Sequence, residues 1–271
     1  MLNSLKSKLI VPIVGMLVIM VLFIFMYVSV STVSLAEDLT QERIRLASSA
    51  ADAQLGNLEE QTQIVAMSVA SSYMVVSNLI NWNANPAGRA HSRQAMVNYL
   101  QFVASEMGVD SFVVRDAQGV VVLRLHDLNA YGDHDGSAAG LAALRGETST
   151  SYSSTATMPM GLNTTVPIRH AGGIIGTMTP LFFLHTSEFV DRFARIFNAE
   201  VTVFGGSTRA ATTILTEGGI RATGIDAYAG VVETVLRQGR PLITEIMLFG
   251  VPYHAYYLPL IGPAGNPVGM F

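Results

Sequence analysis

Apolar residues run from Leu9 to Val33 without a single charge, LIVPIVGMLVIMVLFIFMYVSVSTV. A helix needs about 20 such residues to cross about 30 Å of hydrocarbon. A secretory leader carries an apolar core of only roughly 7–15. The run therefore predicts an uncleaved transmembrane helix over 9–33. Lys6 and Lys8 precede it, and Glu37, Asp38 and Glu42 follow. The positive-inside rule puts residues 1–8 in the cytoplasm and the rest of the chain outside the cell inner membrane.

Beyond the run the pattern becomes helical and amphipathic. Residues 34–80 contain no proline and one glycine, Gly56, and Leu35, Leu39, Leu46, Ala50 and Ala53 recur at helical spacing. This predicts a long stalk helix over 34–80. Its small and leucine face suits either packing on its own domain or a parallel dimer. The turn-rich NWNANPAGR at 81–89 interrupts it, and a second helix over about 90–107 stops at Gly108.

From there the period changes to that of strands. SFVVRDAQGVVVLRLHD (111–127) reads as two strands around a turn at Asp116–Gly119. A polar loop, a short helix ending at AALRGE (142–147) and further strands to 178 follow. SEFVDRFARIFNA (187–199) is a linking helix, after which strand, Gly-rich turn, strand and helix recur. Leu144-Arg145-Gly146 answers Leu236-Arg237-Gln238-Gly239, Val166-Pro167-Ile168 answers Leu258-Pro259-Leu260, and Gly176 answers Gly269, always 92 or 93 residues on. An offset that holds its register predicts an internal repeat of one small α+β module, at 90–185 and again at 186–271. The chain stops at Phe271 inside strand-like text, so a second spanning helix and an effector are expected downstream.

Composition narrows the chemistry. Charged residues make up 13%, the net charge is −4 and no basic stripe is visible, which argues against nucleic acid as a partner. The absence of cysteine removes disulfides, thiolate metal sites and a thiol nucleophile. No nucleophile elbow, phosphate loop, zinc-protease helix or dinucleotide fingerprint occurs, so no enzyme activity and no cofactor are expected.

Candidate ligand groups gather in the first module. Arg124 and His126 stand two apart on one strand, hence on one face, and a guanidinium beside an imidazole suits a carboxylate. The alternative is that they line a solvated face or pair with Asp127 and Asp133. Phe112 and Val114 are expected to face the same pocket, with Tyr131 and Tyr152 at its rim. Tyr131, Asp133, His134 and Asp135 read as a pocket rim or weak metal site, or as a turn with Asx-type hydrogen bonds. Arg145 and Arg237 end equivalent helices and are read as structural. Tyr253, His254, Tyr256 and Tyr257 share a late strand and are read as core.

The ordered set of Gly119–Asp127, Tyr131-Gly132-Asp133, Leu144-Arg145-Gly146, Val201–Phe204, Thr208-Arg209, Ala222-Thr223-Gly224, Gly250–Tyr253 and Tyr257–Leu260 resembles the double Cache (PAS-like) sensory domains of bacterial chemoreceptors, the methyl-accepting chemotaxis proteins, and of sensor histidine kinases. The resemblance spans about 34–271. It implies a membrane-distal module that binds a small molecule, a membrane-proximal module, homodimerisation, and a downstream HAMP linker with a signalling domain. It also implies an Arg-and-His signature like that of citrate and dicarboxylate sensor kinases at Arg124 and His126. Leu162–Pro167 lacks the further basic residues those kinases use, which makes a multi-carboxylate ligand a poor fit. The expected ligand is a small organic acid or amino acid. The rival readings are the sensor region of a kinase or cyclic-dinucleotide enzyme, or a module that recognises a periplasmic protein.

Overall fold

The computed structural model describes residues 5–155 and 157–271, with the side chains of 13–28, 40–155 and 157–271. Residues 1–4 of the expected cytoplasmic segment, and the side chains at both ends of the expected span, lie outside the described residues. The chain divides into two compact units, 1–49 and 50–271.

From residue 5 onward the first unit is part of helix α1, Leu5–Ala70. Its stretch Ile13–Val28 is apolar, and residues such as Met16, Phe23 and Tyr27 are all exposed. Among the described residues no single helix is long and apolar enough to cross a membrane.

The second unit begins in the last turns of α1, where Leu55, Leu58, Val65 and Val69 are buried. The single stalk helix expected over 34–80 is not continuous. It ends at Ala70 and resumes as α2 (Tyr73–Ala84) after a bend of 58°. The cause is capping. Ser72 adopts an extended backbone and its side chain accepts from Val75 N, which starts a new helix. Helix α3 (Arg89–Met107) ends as expected, with Gly108 left-handed at φ 64°.

Five strands follow: β1 (Ser111–Asp116), β2 (Val121–Arg124), β3 (Ser149–Ser153), β4 (Gly161–His170) and β5 (Gly173–Phe183). They form an antiparallel sheet in the order β2-β1-β5-β4-β3, with the short helix α4 (Ala138–Leu144) between β2 and β3. One face is apolar at alternate positions: Phe112 and Val114, Leu162 and Val166, and Met178. These pack on Leu79 of α2 and on Met96 and Leu100 of α3.

Helix α5 (Ser187–Phe197) leads to β6 (Thr202–Gly205), β7 (Thr208–Thr212), the helix α6 (Ala229–Val231, continued by a π-helical turn Val232–Arg237), β8 (Leu242–Leu248), β9 (Val251–Tyr257), β10 (Pro259–Ile261) and β11 (Pro267–Met270). The sheet order is β10-β11-β6-β7, and β8 pairs with β9. Leu258 joins β9 to β10 and exchanges backbone hydrogen bonds with Phe271 at 3.0 and 2.9 Å. Taken as one interrupted strand, β9 and β10 give the second sheet the order of the first.

A pair of glycines fixes this correspondence at atomic detail. Gly176 lies opposite Asp116 and Gly269 lies opposite Gly205. A Cβ on Gly176 would collide with the carbonyl oxygen of Arg115, and one on Gly269 with that of Phe204. Each glycine lets the last strand close on the first strand of its sheet at the same point, so Phe204 in the second sheet stands where Arg115 stands in the first.

Candidate functional site

Period-two alternation gives the first sheet a second face, turned away from α2 and α3. Arg115 of β1 projects there, opposite Thr177 of β5. Val113 lies opposite Thr179, and Thr165 bonds to Thr179 hydroxyl to hydroxyl at 3.0 Å. Ser149 and Ser151 of β3 lie opposite Thr165 and Asn163. The face therefore carries hydroxyls, one amide and a guanidinium, almost all buried, together with a small apolar cluster of Val113, Val121 and Leu181.

Arg115 organises it. Its residue is 6% exposed. Nε donates to Asp135 Oδ2 at 2.6 Å, Nη2 donates to the same oxygen, and Nη1 donates to Thr179 Oγ1 at 2.8 Å. Burial pulls the guanidinium below its ordinary pKa, against the opposing pull of Asp135. Burial would raise the Asp135 carboxyl, but the charge and hydrogen bonds of Arg115 hold it below the usual carboxylate value. Asp135 Oδ1 also accepts from Ser137 N at 2.9 Å, and Ser137 caps α4 through Gly140 N at 3.2 Å. A Cβ on Gly140 would stand 2.9 Å from Ser137 Oγ and 3.3 Å from Arg115 Nε, so glycine there lets α4 lie on the arginine.

Three hydroxyls on this face make no hydrogen bond among the described residues: Ser149 Oγ, Ser151 Oγ and Thr177 Oγ1. Buried hydroxyls without partners are costly and uncommon. Thr177 lies beside the buried ion pair, and Ser149 and Ser151 lie on β3, next to Thr165 and Asn163.

The residues singled out from sequence divide between the two faces. Arg124 lies opposite Val113, on the polar face. It makes a bidentate pair with Asp133 at 2.7 and 2.8 Å and donates to Ala130 O at 2.9 Å. His126 sits beyond the end of β2. Ser111 Oγ accepts from its backbone N–H at 3.1 Å and is hydrogen-bonded to ring Nδ1 at 2.7 Å. Burial, and then the charge of Arg124, lowers the imidazole pKa. Phe112 and Val114 do not share that face. Val114 lies opposite Leu123 and both belong to the helix-side core, as does Phe112. The expectation that all four face one pocket is corrected by the strand register: adjacent residues point to opposite sides. A bulge between Val114 and Arg115 then shifts the pairing of β2.

Tyr131 is exposed, with the Arg93 guanidinium 3.9 Å above its ring. Tyr152 lies on the helix side, where its hydroxyl donates to Glu59 of α1 at 2.7 Å. It lines a groove of about 430 Å³ with Asp52, Gly56 and Glu59 of α1, Thr150 and Ser151 of β3 and residues 258–262. Tyr256 reaches the same helix, donating to Asp52 at 3.0 Å. Burial, and then the bond to Asp52, pushes the Tyr256 hydroxyl up to about 12.

Sequence reasoning missed Arg115, Asn163, Thr165, Thr177 and Thr179. The signal was present: in SFVVRD, LNTTV and TMT the polar residues alternate with residues of the apolar face.

Comparison with known proteins agrees with this architecture. Residues 183–271 match the model of the family described as single cache domain 3. The sensor domain of the V. cholerae histidine kinase DctB superposes with a TM-score of 0.52 at 10% identity, covering 86% of this chain and 94% of that one. The domain of a putative sensory box/GGDEF family protein from Vibrio parahaemolyticus superposes with a TM-score of 0.52 at 11% identity, covering 85% and 93%. At such identities the likeness is one of fold. No curated protein matches the chain in sequence.

Proposed function

We propose, from the Cache-type, PAS-like sensory domain that this chain carries, that it is the extracytoplasmic sensory region of a transmembrane receptor. In this reading 9–33 anchors the chain with 1–8 in the cytoplasm, and the homodimer forms along the stalk. Residues 90–185 are the membrane-distal and 186–271 the membrane-proximal module of a double Cache domain. The repeated strand order and the Gly176–Gly269 correspondence support two modules.

The ligand is a small organic acid or amino acid held on the polar face of the distal sheet. The observation that carries this is the buried Arg115–Asp135 pair with the partnerless hydroxyl of Thr177 opposite Arg115, on a face whose β3 edge carries two more partnerless hydroxyls, Ser149 and Ser151. A carboxylate there accepts from Thr177 and an ammonium finds Asp135, while Ser149 and Ser151, two strands away on β3, offer hydroxyls at the far side of the face. Arg124 and His126 stand at one end of the face, while Phe112 and Val114 support it from behind and Tyr131 and Tyr152 lie outside it.

A ligand acts only through its different affinity for two arrangements of the receptor. Strand β3 offers the link. Ser149 and Ser151 face the ligand, while Tyr152 between Ser151 and Ser153 is bonded to Glu59 of α1. A shift of β3 toward a bound ligand therefore pulls on α1, which Tyr256 grips seven residues earlier at Asp52.

The test is a thermal-shift screen of the whole chain in lipid nanodiscs against organic acids and amino acids. Ligand at about 100 times its dissociation constant adds about 2.7 kcal/mol to stability. The response should vanish in Thr177→Val and Ser151→Ala. A response that survives both would move the ligand off this face, and no response to any acid or amino acid would move the function to a protein partner.

A further inference from the structure

The second sheet also buries an arginine, and that one has no counter-ion among the described residues. Arg209 of β7 is 4% exposed. It lies opposite Phe204, the residue that occupies the place of Arg115. In the first sheet the same cross-strand pair is Arg115 with Val121. Both sheets thus bring one guanidinium to the same pair of positions, from the first strand in one and from its neighbour in the other.

The two cations are treated differently. Arg115 is neutralised within the chain by Asp135. Arg209 Nε and Nη1 are buried and make no hydrogen bond among the described residues. Asp226, whose segment pairs with Thr208 next door, is engaged by the hydroxyls of Ser207 and Thr208 at 3.1 and 2.6 Å. The groups that face Arg209 are the Phe204 ring, 5.6 Å from the guanidinium carbon, and the phenols of Tyr257 and Tyr228. Burial of the cation among them lowers its pKa without neutralising it. An ion held out of water without a partner is strongly unfavourable, and a guanidinium fork with free N–H groups matches a carboxylate.

We propose that the front of the second sheet is a separate anion site centred on Arg209, which takes a small monocarboxylate with an apolar body. The walls select the body. Phe204, Tyr257 and Met270 of the sheet and Val231 and Val235 of α6 and its π-helical turn form one apolar cluster there. A charge-dense anion such as phosphate would lose its hydration against these side chains with only one cation to replace it. The site stands independently of the ligand assigned to the first sheet.

The experiment is calorimetric titration and thermal denaturation of the whole chain in nanodiscs with acetate, propionate, butyrate, propionamide and inorganic phosphate. Binding should strengthen from acetate to butyrate and be absent for propionamide and phosphate. Arg209→Met should abolish it without lowering the melting temperature of the unliganded protein, because the substitution removes an unpaired buried charge. Arg209→Lys, which keeps the charge and loses the fork, should weaken it by roughly tenfold or more. Thr177→Val, in the first sheet, should leave it intact. Retention of butyrate binding in Arg209→Met overturns the site. So does loss of butyrate binding in Thr177→Val alone, or silence of the wild-type chain to all three acids. Should Arg209→Met not fold, undiminished binding in Arg209→Lys overturns it equally.

Discussion

Arg115 and Asp135 meet over the polar face of the first sheet, with Arg115 Nε 2.6 Å from Asp135 Oδ2. One residue comes from β1 and the other from the loop that leads into α4, so their pairing fastens loop to sheet. Side-chain exposures of 7% and 20% make this a largely dry ion pair.

Asp135→Asn leaves the Arg115 charge in place and removes its neutralising partner. Breaking a buried pair from one side costs about 3–5 kcal/mol, and the partial exposure of Asp135 puts the expectation at the low end. Urea denaturation checks it. The double variant Arg115→Met with Asp135→Leu should recover most of the loss.

Gly176→Ala and Gly269→Ala should both be damaging, because the added methyl meets a backbone carbonyl oxygen, which cannot give way as the nearby ends of Leu79 and Met160 can. Overpacking of this kind costs about 1–3 kcal/mol or more. Gly136→Ala is the contrast, since nothing lies within 4 Å of its Cβ position. Its effect should stay within about 0.5 kcal/mol. Melting temperatures of the three variants decide the matter.

The imidazole of His126 is held below its ordinary pKa by burial and then by Arg124. The unfolded chain takes up this proton near pH 6.5 and the folded chain resists it. Stability from this group is therefore complete above about pH 6.5 and declines as pH falls below that value. Asp133, lowered to about 2 chiefly by its hydrogen bonds to Arg124, acts in a separate window. Its contribution is present above about pH 4 and fades toward pH 2. Urea midpoints measured from pH 8 to pH 2 should show both declines, with the upper one smaller in His126→Gln.

Tyr152→Phe removes the hydroxyl that reaches Glu59 across a buried junction. The expected cost is about 1 kcal/mol. Tyr256→Phe removes the bond to Asp52 at an exposed position, where solvent replaces it, and should cost less than Tyr152→Phe. Guanidinium unfolding of the two variants gives the order.

Much of the fold was legible in local text. The hairpin at 111–127, the stop at Gly108 and the 92-to-93-residue repeat are written in residues that act on their neighbours or recur in register. The break at Ser71–Ser72 was not legible. Two serines mid-helix signal a cap only when the chain has somewhere else to go, and here that is the apolar face of the first sheet. Arg124 and His126 were legible as a polar pair, but the salt bridge to Asp133 depends on how the 127–134 loop folds back.

By itself, then, the sequence determined which segments are strands and helices, that short motifs recur 92 or 93 residues apart, and which strand positions are polar. Those are matters of spacing and composition, and neighbours along the chain decide them. The tertiary structure alone decided which polar residues meet. The pairing of β1 with β5 and the bulge after Val114 put Arg115, not Phe112 or Val114, beside Thr177 and Thr179. The loop before α4 gave Arg115 an acid, while in the second sheet Asp226 was drawn to Ser207 and Thr208 and Arg209 was left without one among the described residues. A counter-charge is a contact between distant segments, and its presence or absence is fixed only when strands and loops close around it.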